Sequence, residues 1–340
     1  MRVNMHDIAK AAHVSVSTVS RALRGHAGIS EETRASIMKV ASELGYFQYT
    51  DAKPKSATST ARHIIVCVPK AENLAAAHEL ILRGIREYTE YAGASLQIVG
   101  ENYGDKKSER ANLLMNRVLF ITPKGYGSLI QHCNDLGITT AATLRTPDFF
   151  APFHIDITVH PDEAVMASLI VTKLRGLGHK RIAFVGEERT TPMAKIRAAH
   201  LQKALLAAGL PVEPEWFILK VEKHCENIIA LVRQPREERP SVLVCATDTV
   251  AIVLLKTLLD VGIRVPEDIA VVGIHNIPYT SFAKPSITTV DVHLTEIGYE
   301  AARQLLLYQL REPRRQVDIT IPVKWVERGS TCTYHDNKEV

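Results

Sequence analysis

Residues 5–23 read MHDIAKAAHVSVSTVSRAL. Ile8, Ala9, Ala11 and Ala12 put apolar side chains on one face of a short first helix, the period an amphipathic helix requires. Val14, Ser15 and Val16 interrupt it. Ser15 or Ser17 then offers a hydroxyl to cap a second helix over 18–24, which stops at Gly25. A third helix follows Ser30, with Glu31, Glu32 and Thr33 in its first turn, where acids meet the positive end of the helix dipole. Its inward face is Ile37, Val40, Ala41 and Leu44, and Gly45 ends it. Three short helices with a tight turn between the first two make a helix-turn-helix unit.

The outward face around the second helix carries Ser15, Val16, Ser17, Thr18, Ser20, Arg21 and Arg24. Hydroxyls bond phosphates or base edges, an arginine fork grips guanine through two bonds, and a valine touches a thymine methyl. Taken alone, the same segment also reads as a solvated helix with capping serines.

Charge distribution favours the first reading. Of 340 residues, 41 are Lys or Arg and 37 are Asp or Glu. Residues 1–62 hold nine of the bases and five of the acids, so 32 of each remain and the rest of the chain is neutral. A basic head on a neutral body places any polyanion contact at the head. There is no apolar run of membrane-spanning length, and the stretch Met1–Asp7 meets a charge too early for a secretion signal, so a cytoplasmic chain without a membrane partner is expected. Five scattered cysteines (Cys67, Cys133, Cys225, Cys245, Cys332) read as reduced thiols. The histidines have no metal-site spacing, no nucleotide-binding glycine motif is present, and no nucleophile elbow occurs. No metal, cofactor or enzymatic activity is expected.

After residue 62 strands and helices alternate. The apolar runs at 62–69, 95–99, 118–122, 139–143, 181–185, 216–219, 241–245 and 269–272 are separated by helical stretches at 73–92, 126–135, 162–176, 194–208, 224–233 and 248–261. Apolar strands between helices indicate parallel sheet covered on both faces, and their number suggests two doubly wound lobes. Such sheets bind ligands at the carboxyl ends of their strands.

Residues 5–23, with Leu44, Gly45 and Tyr46, resemble the head of the lactose-repressor (LacI) family of bacterial transcription regulators. Farther along, GHKRIAF at 178–184, Arg197 with Ala204, Leu205, Gly209 and Leu210, VPEDIAVVG at 265–273 and PSITTV at 285–290 are similar to the body of that family. The resemblance implies an all-α helix-turn-helix head and a periplasmic-binding-protein-like α/β core of two lobes crossed three times by the chain. It implies a head over 1–46, a connecting segment over 47–62 and a core over 63–340. Lobe one is then about 63–158 and 291–318, and lobe two about 159–290 and 319–340. Val16 and Ser17 would choose the operator bases, with Arg21 in support.

The connecting segment departs from the family hinge. Lys55 stands where a minor-groove leucine is usual, and Pro54 breaks a helix there. It reads as a flexible basic tether whose Lys53 and Lys55 follow phosphates.

For the cleft, the resemblance makes Arg197 the effector-gripping arginine, against a surface ion pair as the plain reading. Asp248 either accepts from ligand hydroxyls or caps the helix that follows it. His275 and Asn276 stand where an acidic pair is usual, which argues against an ordinary pyranose and leaves room for a phosphorylated or acidic ligand, or none. Asp162 lies near a further ligand position. In the other lobe AAAH at 75–78 replaces two aromatics, leaving His78 as a ligand candidate or a solvated helix-end histidine.

The expected function is a repressor of carbohydrate-related genes. It would act as a homodimer on a near-palindromic double-stranded operator, modulated by a small sugar-like effector. The alternatives are an effector-independent regulator of the same fold and a solute-binding protein without a DNA role.

Overall fold

In a computed structural model the described residues are 9–23, 30, 33, 36–37, 40, 63–69, 76–100, 103, 117–121, 126–144, 153–188, 191–221, 225–308 and 316–334. The chain divides into a unit over Met1–Thr60 and a unit over Ala61–Val340. Arg24, Lys53, Lys55 and the tether lie outside the described residues, as do the side chains of Ser17, Ser20 and Arg21.

In the first unit, residues 9–11 are helical and helix α1 spans Val16–Leu23. The second helix thus begins two residues before the sequence reading places it. Ser15 is its cap: the hydroxyl accepts from the Thr18 amide at 3.1 Å. The turn before it is closed by the Val14 amide bonding the Ala9 carbonyl at 3.0 Å, and His13 sits there at φ 53°. Ala9, Val19, Ala22 and Ile37 form the small core, with Ala12, Val14, Val16 and Val40 packed on it.

The second unit holds two six-stranded sheets. One contains β1 (His63–Cys67), β2 (Ser95–Val99), β3 (Arg117–Phe120), β4 (Thr140–Thr143), β5 (Ile157–Pro161) and β11 (Val317–Ile321), in the order β11-β5-β4-β3-β1-β2. All its pairings are parallel. The other contains β6 (Ile182–Glu187), β7 (Phe217–Lys220), β8 (Val242–Cys245), β9 (Ala270–Ile274), β10 (Thr288–Asp291) and β12 (Lys324–Val326), ordered β12-β10-β9-β8-β6-β7. Only β12 is antiparallel to its neighbour. The helices are α2 (Ala76–Tyr91), α3 (Gly127–Asp135), α4 (Glu163–Gly176), α5 (Pro192–Ala207), α6 (Glu226–Val232), α7 (Asp248–Asp260), α8 (Tyr279–Phe282) and α9 (Leu294–Leu307).

The chain passes between the sheets after β5, after β10 and after β11. The first and last crossings fall later than the sequence places them. β5 belongs wholly to the first sheet because it pairs with β4 and with β11 through Pro161, and β11 runs to Ile321. β5 ends in His160 and Pro161 and β11 alternates in exposure, so neither reads as an apolar run. Trp216 likewise leaves the strand assigned to it. It is buried in a short turn over Pro214–Trp216, and the strand starts at Phe217.

In lobe one α2 and α9 cross with backbone against backbone at Gly84 and Gly298. A Cβ added at Gly84 would overlap the Thr295 carbonyl oxygen, and one at Gly298 would overlap that of Ile81. Tyr88 and Tyr299 close the contact edge to face at 5.0 Å. Among the described residues no helix is long and apolar enough to cross a membrane.

Candidate functional site

In the head, the Ser15 hydroxyl lies 2.7 Å from that of Thr18 and caps α1, so both are partly engaged at the helix start. Val16 is half-buried against the head core. Capping the helix at its first turn orients that turn, the part of a recognition helix that reaches base edges.

In the body, the carboxyl ends of the lobe-two strands gather most of the remaining candidates. Asp162 caps α4, its Oδ1 accepting from the amides of Ala164 at 3.0 Å and Val165 at 2.9 Å. That cap sets Glu163 as the first helical residue, turned inward. Thr191 caps α5 by accepting from the Ala194 amide at 3.1 Å, with Pro192 opening the helix, and this sets Arg197 facing Glu163.

The two are buried partners: Arg197 is 6% and Glu163 7% exposed. Arg197 Nε donates to Glu163 Oε2 at 3.2 Å and Nη2 donates to Oε1 at 3.3 Å. Nη1 donates to the Ala246 carbonyl at 2.5 Å and lies 3.2 Å from His275 Nε2. A guanidinium has five N–H groups and no acceptor. These bonds therefore leave one N–H at most, and they make His275 Nε2 the acceptor, with the imidazole proton on Nδ1. A cavity of 10 Å³, the size of one water, lies behind the pair against Met166, Phe184, Val244 and Ile274.

His275 and Asn276 both have positive φ, 120° and 57°. Such strain persists where the surroundings hold it, and here they do. Asn276 Nδ2 donates to Asp291 at 3.0 Å, and its Oδ1 accepts from Arg328 at 2.7 Å.

Neither sequence reading of Asp248 describes its bonds. Thr247 is the helix cap, accepting from the Val250 amide at 3.3 Å. Asp248 is fully buried; its Oδ1 accepts from Thr289 Oγ1 at 2.6 Å and its Oδ2 from the Ile277 amide at 2.8 Å. Burial pushes its carboxyl up to about 6, although those hydrogen bonds pull the other way. His78 is in the other lobe, half-buried in the first turn of α2.

The lobe-two site is thus Arg197, His275, Asn276 and Asp248, joined by Glu163, Thr289 and Arg328, which sequence reasoning missed. Glu163 reads in sequence as an acid at a helix start, a favourable exposed place. Only the capping by Asp162 would have hinted that it turns inward. Among the described residues no group of three His, Cys, Asp or Glu can hold a metal ion.

A helix-turn-helix head and a two-lobed α/β body in one chain define a DNA-binding regulator with a solute-binding type of core. A family model described as bacterial regulatory proteins, lacI family, matches residues 4–48, and one described as periplasmic binding protein-like domain matches 171–331. Residues 4–48 are thus a lacI-family regulatory head, and residues 171–331 a periplasmic-binding-protein-like domain. It is 28% identical to the HTH-type transcriptional repressor CytR of Escherichia coli (strain K12), over 89% of this chain and 88% of that one. It is 25% identical to the ribose operon repressor of Haemophilus influenzae, covering 91% and 92%. The solved structure of the lac repressor dimer bound to operator and the anti-inducer ONPF shares the fold, with TM-score 0.61, 20% identity and coverage of 98% and 100%.

Proposed function

We propose that this chain is a homodimeric, non-enzymatic repressor of carbohydrate-related genes that acts in the cytoplasm on a near-palindromic operator. The observation that carries the reading is the capped helix Val16–Leu23 seated on its own core, in a chain whose body has two lobes. The relatives named above are repressors, one of them of a ribose operon. A dimer presents two heads and so favours an operator with dyad symmetry. Tyr279 and Phe282 on α8, 61% and 78% exposed, suit a surface covered by a second copy. Arg21 and Arg24 would reach the groove, and Lys53 and Lys55 would add phosphate contacts without sequence information.

Selecting binders from random duplexes tests this reading. A dyad-symmetric sequence is expected, and changes at Val16 and Ser17 should alter the preferred bases. The absence of any preferred sequence would overturn it. Lys53→Ala should lower the slope of log affinity against log salt by about one. Lys55→Leu should cost a similar single phosphate contact, and a large gain in affinity would mean that a hinge helix forms despite Pro54.

For the effector, the first reading is a small sugar-like molecule in the cleft between the lobes, met by Arg197, Asp248, His275, Asn276, Asp162 and His78. A second reading is favoured by a specific observation. Arg197, Asp248 and Asn276 direct their bonds to Glu163, Thr289, Ile277, Asp291 and Arg328. That pattern suits a regulator whose operator binding needs no ligand at these side chains. Gel shifts with and without a panel of sugars separate the two.

A further inference from the structure

We propose that Glu163 is a tethered ligand: its carboxylate fills the anion subsite of Arg197, so operator binding does not wait on a soluble ligand at that position. The inference rests on reading the chain as a DNA-binding regulator and deepens the second of the two effector readings.

Three features of the site carry it. Glu163 meets Arg197 with both carboxylate oxygens, from Nε and Nη2, the two-point contact that a free carboxylate would make with a guanidinium. The rest of the fork is held by groups that belong to the frame, the Ala246 carbonyl after β8 and the His275 ring after β9. Arg197 therefore has the surroundings of a receptor group with its ligand in place. Glu163 is the second residue after β5, where the chain first passes from one lobe to the other. A contact made there ties the start of lobe two to α5 and to the ends of β8 and β9 in the same lobe.

The chemistry of the side chain gives a direct test. Replacing Glu163 with Ala keeps Cβ and removes Cγ, Cδ and both oxygens, which are the heavy atoms of acetate. The removed group borders the water-sized cavity behind the pair, so the space opened is continuous with it. Arg197 is left buried with its frame contacts and without its anion, a state that favours uptake of one from solution.

The experiment uses full-length wild type, Glu163→Ala and Glu163→Gln with a selected operator, in acetate or in chloride at equal ionic strength. Wild type should bind equally in both. Glu163→Ala should bind about tenfold more weakly in chloride and recover in acetate, within the usual span of an allosteric coupling. Its melting midpoint should rise saturably with acetate and not with chloride. Glu163→Gln retains the bulk and lacks the charge, so it should bind more weakly than wild type and gain nothing from acetate.

Wild-type affinity in the Gln variant would overturn the proposal, and that variant decides the matter even where the Ala variant does not fold. Acetate stabilising the Ala variant without restoring operator binding would also overturn it, since the pair would then be structural only. Failure of wild type to bind any operator would instead overturn the reading of the protein as a regulator, an outcome visible before either variant is made.

Discussion

Thr289 Oγ1 on β10 donates to Asp248 Oδ1 at 2.6 Å, fastening the start of α7 to a strand that leads to the second crossing. The carboxyl is fully buried, and burial raises it from 3.8 to about 6. Its folded form therefore binds a proton more readily than its unfolded form. The stability linked to this group is complete below about pH 4 and is lost as pH rises through 6. Asp248→Asn removes the titration. The wild-type advantage over this variant should shrink by about 2 kcal/mol between pH 4.5 and 7. Urea unfolding at the two pH values measures it, and an unchanged difference would contradict the account.

His179 carries the opposite slope. It is buried, stacks on Tyr334 at 5.2 Å and lies 2.9 Å from the Ser241 hydroxyl. Burial lowers it from 6.5 to about 4, so its stability is present above 6.5 and is lost as pH falls through 4. Between pH 6.5 and 4.5 that loss is about 2 kcal/mol, and His179→Gln should abolish it. Because the two slopes nearly cancel, wild type should be flatter across this window than either variant. Parallel pH titrations of the melting midpoint check this.

Gly84 and Gly298 define the spacing of α2 and α9. Ala at either should cost about 3 kcal/mol, because the new methyl meets a backbone carbonyl that cannot step aside. Gly176, in the last turn of α4, has open space where its Cβ would be. Gly176→Ala should instead stabilise by about 0.5 kcal/mol. Similar effects at all three positions would discount the close helix contact.

His13 occupies the left-handed region in the turn of the head. A side chain there costs on the order of 1 kcal/mol relative to glycine. His13→Gly should protect the amides of residues 9–23 from hydrogen exchange by up to about fivefold more than wild type, whereas His13→Val should do the reverse.

Much of the fold was legible in the sequence because its signals are local. A serine at 15 or 17 before a short helix announced a cap, and the apolar runs at 62–69 and 181–185 announced covered strands. The lobe boundaries were less legible, since β5 and β11 owe their place to each other across more than 150 residues. In the site, Arg197 and Asp248 were found from motifs, yet their bonds were not. Those bonds depend on Glu163 and Thr289, which are distant in the chain and unremarkable as residue types. Burial converted a favourable helix-start acid and an ordinary strand threonine into partners of charged groups, and no local pattern records burial of that kind.

The three crossings constrain how the protein is made. Lobe one lacks α9 until residue 307 has been synthesised and lacks an edge strand until residue 321. Lobe two waits longer, because β12 follows at Lys324–Val326 and the Ser330 hydroxyl bonds the Thr288 amide and the Val271 carbonyl. Pairings this distant slow folding. During translation the head can close early, while the body has two incomplete sheets with open edges until the last strands arrive. Those edges are the places where a nascent chain would need a chaperone.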